Sequence, residues 1–197
     1  MVIAVLLMLL AYLFGSVSSA VLVCRALRLP DPRTSGSLNP GATNVLRIGG
    51  RPAAAMTLAG DFLKGVLPVS LVLGFGGTPV LAAAVGVAAF LGHLFPVFFG
   101  FRGGKGIATG LGVLLAWSWT AFLGTVGVWL LVALVFRYSS LAGMSSFVAA
   151  SIWLLVLGEP LPMIAGMLII AAATLWRHQG NIRNLLDGTE KKLGERS

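Results

Sequence analysis

Long apolar runs alternate with short polar stretches along this chain. The runs cover about residues 2–24, 52–75, 79–99, 107–118, 119–136, 141–157 and 161–176. A membrane-spanning helix needs roughly 20 mostly apolar residues, so each run reads as a spanning helix or a large part of one. Breakers separate several of them: Gly76-Gly77-Thr78-Pro79, Trp117-Ser118-Trp119-Thr120 and Gly158-Glu159-Pro160. The stretch from Ile107 to Phe136 is ambiguous by hydropathy alone. As one helix it would be about 45 Å long at 1.5 Å per residue, against a hydrocarbon core of about 30 Å. Two shorter helices meeting near Trp117–Thr120 are the alternative.

Charge decides between them. Two helices give seven spans, with the N-terminus outside and the C-terminus inside. Thirteen of the 14 Lys and Arg then fall on one side, from Arg25 through the cluster Arg177, Arg183, Lys191, Lys192 and Arg196. The remaining one, Lys64, lies within a span. A single long helix would move Arg137 and the C-terminal cluster outside, against the preference for cytoplasmic Lys and Arg. The expected fold is therefore an all-α integral membrane protein, a seven-transmembrane-helix bundle with a cytoplasmic C-terminus. Trp117 and Trp119 are expected at the outer interface.

Composition agrees. The chain has 197 residues, 57% hydrophobic and 10% charged, with a mean hydropathy of +0.96, far from the roughly 25% charged residues of soluble domains. One domain, 1–197, is expected. The net charge of +8 is not a nucleic-acid signature here, because the aromatic residues lie in apolar runs rather than among the basic ones. Cys24 is the single cysteine, so no intrachain disulfide forms. With only two histidines beside it, no metal site is expected, and no cofactor. The first 24 residues lack a basic leader, so a cleaved signal peptide is not expected.

Three polar islands interrupt the apolar pattern: SGSLNPGATNVLR (Ser35–Arg47), GHLFPVFFGFRGGKGIATG (Gly92–Gly110) and HQGNIRNLLDGTEKK (His178–Lys192). Seven spans place all three on one face. Gly103-Gly104-Lys105-Gly106 can turn successive N–H groups inward as an anion nest, with Lys105 adding charge and a helix start near Ile107 adding its positive end. Thr109 comes within a turn of that start. Gly106 stands where a Walker A loop needs Ser or Thr, so a nucleotide triphosphatase is not indicated. The first island offers Ser35, Ser37, Asn39, Gly41, Thr43 and Asn44 as small donors and turn residues, and ends in Arg47, which can grip an oxyanion bidentately. In the third, His178 and Asn181 share a helix face, and a histidine can accept a proton near neutrality. Asp187, Glu190, Lys191 and Lys192 read as a solvated tail. Asp61 and Lys64, three apart within a span, read as a mutual ion pair, and His93 as either a packed or a site residue.

These islands, with the opening AYLFGSVSSA and the intramembrane GDFLKG, resemble the bacterial acyl-phosphate:glycerol-3-phosphate acyltransferases of the PlsY type over essentially the whole length. The resemblance implies a seven-helix inner-membrane enzyme of phospholipid synthesis. It would move a fatty acyl group from acyl phosphate to the 1-hydroxyl of glycerol 3-phosphate, giving lysophosphatidic acid and phosphate. The family's catalytic positions fall on Ser37, Arg47, Lys105, His178 and Asn181, with Ser35 a second candidate for the serine. The partners implied are acyl phosphate, glycerol 3-phosphate and membrane lipid. The His-x4-Asp pattern of other lipid acyltransferases is absent after both His93 and His178. A transporter of phosphorylated anions is the competing class, since basic inner loops and an intramembrane charge pair would suit it.

Overall fold

In the computed structural model of the chain, which describes residues 1–195, the regular elements are helices. Arg196, counted above with the basic C-terminal cluster, lies outside the described residues. In chain order they are α1 (Val2–Gly15), α2 (Ser19–Ala26), α3 (Ala42–Gly74), α4 (Pro79–Leu94), a 3-10 turn (Val97–Phe99), α5 (Ile107–Trp117), α6 (Trp119–Phe136), α7 (Ser139–Val156), α8 (Leu161–Arg177) and α9 (Gln179–Leu186). Helix α4 is central and packs on α1, α3, α5 and α8. Its buried Phe90 and Leu94 join Leu114, Phe147, Leu154, Met167 and Ile170 in one core. Large apolar side chains cover the outside, as on Leu130, Leu131 and Leu134 of α6. That inversion suits a lipid surround, where packing and polar bonds rather than hydrophobic exclusion hold helices together.

Five segments are long and apolar enough to cross a membrane. The bent pair α8 and α9, with 58° between the helices, passes the same test only when counted as one span, for six at most among the described residues. The split expected near Trp117–Thr120 is present: Ser118 leaves the helical region (φ −155°, ψ 107°) and its hydroxyl caps α6 through the Ala121 N–H. This leaves α5 with 11 residues, about 17 Å. The position of α5 explains its brevity. Gly106 abuts Phe90 and Leu94, Val113 abuts Gly86, and the Trp117 indole N–H reaches the Ala82 carbonyl at 3.3 Å. The helix thus runs antiparallel to α4 from the level of Phe90 to that of Ala82, and the glycine loop Gly103–Gly106 fills the level below.

Other boundaries differ from expectation for identifiable reasons. The first apolar run is broken at Ser16–Ser18, where Ser18 caps α2. Helix α3 begins at Ala42, ten positions before the run that signalled it, because a polar amphipathic turn carrying Arg47 precedes a kink at Gly50 (φ 76°, ψ −172°). Trp117 faces the bundle rather than its surroundings. It is 7% exposed and packs against Gly86 and Gly166, whereas Trp119 is 62% exposed.

Backbone contact at glycines sets a tight seam between α3 and α5. A Cβ on Gly65 would lie 2.1 Å from the Thr109 carbonyl, and one on Gly112 would lie 2.2 Å from the Phe62 carbonyl. Helices α3 and α5 therefore meet main chain to main chain, as small residues allow in membrane bundles. Gly112→Ala is expected to cost about 1–3 kcal/mol through overpacking, read as a lower thermal midpoint in detergent; an unchanged midpoint contradicts this seam.

Candidate active site

The first island is held by Asn44. Its side-chain NH2 donates to the Pro32 and Ser35 carbonyls, both at 2.9 Å, and its Oδ1 accepts from the Ser37 N–H at 2.8 Å. At 1% exposure it has no group left for a ligand, so the sequence-based assignment of Asn44 to phosphate binding is corrected: it shapes the loop. The need for glycine at Gly36 has the same origin, with φ 64° and a would-be Cβ 2.2 Å from Asn44 Oδ1. Ser37 and Thr43 are exposed, Ser35, Asn39 and Gly41 half-buried, and Arg47 exposed one turn beyond Asn44. Thr43 Oγ1 stands 3.5 Å from Ser139 Oγ. The loop docks on the second island where Arg33, paired with Asp31 at 2.7 Å, donates to the Phe99 carbonyl at 3.3 Å.

The glycine loop differs from the expected anion nest. The Gly104 N–H donates to the His93 carbonyl at 3.2 Å, so it is not free. The Gly103 and Gly104 carbonyls accept from Arg177 Nη2 and Nε at 2.7 and 3.1 Å. Side chains have no room on the inner side: a Cβ on Gly103 would meet the His93 carbonyl at 2.1 Å. Gly106 adopts φ 84°, which a side-chain-bearing residue rarely tolerates, and serves as N-cap of α5. Among the described residues, the N–H groups of Gly103, Lys105 and Gly106 and of the first turn of α5 have no acceptor, so the loop's capacity to hold an anion rests on them. Thr109 does not share it. Its hydroxyl is fully buried and donates to the Asp61 carbonyl at 2.8 Å, so its assignment to phosphate binding is also corrected.

The third island closes the site. Lys105 Nζ donates to Asn181 Oδ1. Asn181 Nδ2 donates in turn to Glu190 Oε1 at 2.7 Å, which also accepts from Ser140 Oγ at 2.5 Å. Asn184 Nδ2 reaches Glu190 Oε2 at 3.3 Å. Glu190 is thus no part of a solvated tail. The segment carrying it is strapped to the α6–α7 turn by paired bonds between Leu193 and Arg137. Arg47, Arg177 and Glu190 are all close enough for their charges to act on Lys105. Three islands far apart in sequence therefore converge.

His178 ends α8 and is 3% exposed. Its Nδ1 lies 2.8 Å from the Thr174 carbonyl. A carbonyl only accepts, so Nδ1 carries the proton and Nε2 keeps its lone pair. Burial, reinforced by the Lys105 and Arg177 charges, holds its pKa down to about 4. It is neutral at physiological pH.

Sequence reasoning missed three members of this cluster: Arg177, Glu190 and Ser140. Arg177 reads in the sequence only as topological charge, although its position directly before His178 was a usable signal. Ser140 lies in no island. The predicted His93, Asp61 and Lys64 lie one layer deeper. Lys64 Nζ pairs with Asp61 Oδ1 at 2.9 Å, as the spacing suggested, and all three are buried. Among the described residues, no group of His, Cys, Asp and Glu could hold a metal ion.

Helical architecture, apolar outer surfaces and a cation-rich polar cluster among the helix ends define a multi-pass membrane protein. A family model for glycerol-3-phosphate acyltransferase matches residues 5–188. The chain is 55% identical over 190 residues to a glycerol-3-phosphate acyltransferase of Halorhodospira halophila, covering 96% of each. It is 52% identical over 198 residues to that of Thioalkalivibrio sulfidiphilus, covering 100% of this chain and 97% of the relative. Its fold matches the crystal structure of PlsY, an integral membrane glycerol 3-phosphate acyltransferase, in the glycerol 3-phosphate form, with a TM-score of 0.93, 39% identity and coverage of 97% and 96%. The lysophosphatidic acid form matches with a TM-score of 0.91 and 38% identity, covering 97% and 95%. The chain belongs to the glycerol-3-phosphate acyltransferase family, enzymes of phospholipid synthesis.

The low pKa of His178 has a measurable consequence. Unfolded, the residue takes a proton near its ordinary 6.5; folded, it resists until about 4. The unfolded chain therefore binds the extra proton first, and stability falls as pH drops from 6.5 towards 4. His178→Gln is expected to flatten that part of the curve of thermal midpoint against pH. A parallel curve in the variant contradicts a buried neutral imidazole.

Proposed function

We propose that this chain transfers a fatty acyl group from acyl phosphate to the 1-hydroxyl of glycerol 3-phosphate, releasing lysophosphatidic acid and inorganic phosphate. The observation that supports this reading is the gathering of Arg47, Lys105, Arg177, His178 and Asn181 in one polar cluster. The relative crystallised with glycerol 3-phosphate and with lysophosphatidic acid supports the acceptor and the product. Both substrates carry phosphate, and the free donors at Lys105, Gly106 and the start of α5 suit an oxyanion. Ser37, with Ser35 beside it, Asn39, Gly41 and Thr43 line the approach from the first island, and Gly103 and Gly104 shape the loop.

Acyl phosphate is already activated. The acceptor oxygen attacks the acyl carbonyl carbon, the bond from that carbon to the phosphate oxygen breaks, and phosphate leaves with the electron pair. The hydroxyl proton passes to His178 Nε2 or to a substrate phosphate oxygen. Little covalent machinery is required. Positioning alone can supply about 7–11 kcal/mol in favourable cases, and each well-placed donor about 3–4 kcal/mol. Transfer is direct: Cys24 is buried outside the pocket, and no Ser-His-Asp set is assembled among the described residues. An apolar cavity of about 370 Å³ between α7, α8 and α9, lined by Leu141, Met144, Ser145, Leu175, Ile182 and Leu185, adjoins Ser140 and Asn181 in sequence and suits the fatty chain. A larger one of about 590 Å³, lined by Leu7, Phe14, Pro68 and Phe75, involves none of the site residues.

The reading includes a topology. Residues 1–197 form one catalytic unit in the bacterial inner membrane, with seven crossings and the pocket facing the cytoplasm. The register of α5 along α4 supports the seventh crossing, because buried, bonded glycine-loop backbone is the kind of irregular chain a membrane protein tolerates at depth.

The test is turnover of acyl phosphate with labelled glycerol 3-phosphate by detergent-purified protein. Lys105→Ala and Arg47→Ala are each expected to lower turnover at least about 100-fold with little change in thermal midpoint. Near-normal rates in either variant refute its role. Donor alone is expected to leave no stable acylated protein by intact mass, and a trapped acyl-enzyme would overturn direct transfer.

A further inference from the structure

Beneath the pocket lies a buried polar cluster that the chemistry above does not use. Asp61 of α3, Lys64 of α3 and His93 of α4 are 2%, 3% and 6% exposed. Lys64 Nζ is 2.9 Å from Asp61 Oδ1 and also donates to the Val17 carbonyl at 2.9 Å. Val17 sits in the break between α1 and α2, so its carbonyl has no helical partner there. Asp61 Oδ1, already paired with Lys64, faces His93 Nδ1 at 3.7 Å, and His93 Nδ1 has no hydrogen-bond partner among the described residues. Polar groups left like this at membrane depth are costly and usually serve a purpose.

The other side of His93 points to that purpose. Its carbonyl accepts the Gly104 N–H, and its Nε2 lies 2.3 Å from where a Gly104 Cβ would stand. The imidazole is thus the floor on which the glycine loop rests, while Arg177 clamps Gly103 and Gly104 from α8 through their carbonyls. Asp61 ties this floor to α5, since its own carbonyl accepts from Thr109, two residues after Ile107 opens that helix. One acidic residue therefore touches both flanks of the anion-binding turn.

The geometry points to His93 and Asp61 as positioning residues for the anion-binding turn Gly103–Gly106: His93 sets the height of Gly104, and Asp61 orients the His93 ring. This rests on the phosphate role proposed for that turn. A displaced turn weakens substrate phosphate binding in ground and transition state alike, which raises KM more than it lowers kcat.

Steady-state kinetics of purified protein with acyl phosphate and glycerol 3-phosphate test it. His93→Ala is expected to raise KM for glycerol 3-phosphate about tenfold, with kcat within about threefold, as a sub-ångström misplacement allows. His93→Gln, which keeps a polar side chain under Gly104, is expected to recover most of that loss and serves if the alanine variant folds poorly. Asp61→Asn, of equal volume, is expected to shift KM in the same direction. Gly104→Ala puts a methyl against the ring, so the two sites are coupled: in the His93→Ala background it is expected to add no further penalty. An unchanged KM in His93→Ala or Asp61→Asn, or penalties that simply multiply in the Gly104→Ala/His93→Ala pair, overturns the inference. If Lys105→Ala abolishes turnover while the His93 variants behave as wild type, this inference alone fails. If Lys105→Ala is itself near normal, the underlying phosphate reading fails.

Discussion

A stretch of irregular backbone buried inside a helical bundle must have its polar groups satisfied by protein, because no water reaches them there. In this chain that constraint falls on Gly103–Gly106, and much of the architecture can be traced to meeting it. The Gly104 N–H bonds to the His93 carbonyl, and the Gly103 and Gly104 carbonyls are taken by Arg177. The inward surface must be bare, because main chain and the His93 ring come within about van der Waals contact of the glycine Cα atoms. Once these groups are engaged, most of the donors that remain free among the described residues lie towards Lys105 and the start of α5. Satisfying one side of the loop thus gives the other side its direction.

The same logic governs charge. Lys105, Arg47 and Arg177 crowd one pocket and repel each other unless anions are present. Glu190 supplies one, bonded to Asn181, Asn184 and Ser140. His178 adds no positive charge, because its burial keeps it neutral, and its bond to Thr174 fixes which nitrogen has a free lone pair. The cluster is cationic but not saturated with cations.

Much of this was legible in the chain. Apolar runs of spanning length marked the helices, since hydropathy acts through composition over many residues and needs no knowledge of partners. The break at Ser118 was visible because it splits a run too long for one crossing. Arg47, Lys105, His178 and Asn181 stood out because polar clusters in a greasy chain are conspicuous. Other features were invisible for physical reasons. Asn44 and Thr109 have the same donors whether they face a ligand or their own backbone, and only packing reveals that both are engaged internally. Glu190 sits among charged tail residues, and nothing local distinguishes it from Asp187 or Lys191. Trp117 has the chemistry of an interfacial anchor, yet the bare flanks of Gly86 and Gly166 make room for it in the core.

What the sequence by itself determined is what depends on composition and short-range order: a helical membrane chain, its approximate segments, and three polar islands between them. Tertiary structure alone decided which of those polar groups are free. That choice depends on contacts between residues dozens of positions apart, such as Arg177 with Gly103 or Lys64 with Val17. A donor has the same identity before and after it is used, so its availability is a property of the assembled fold.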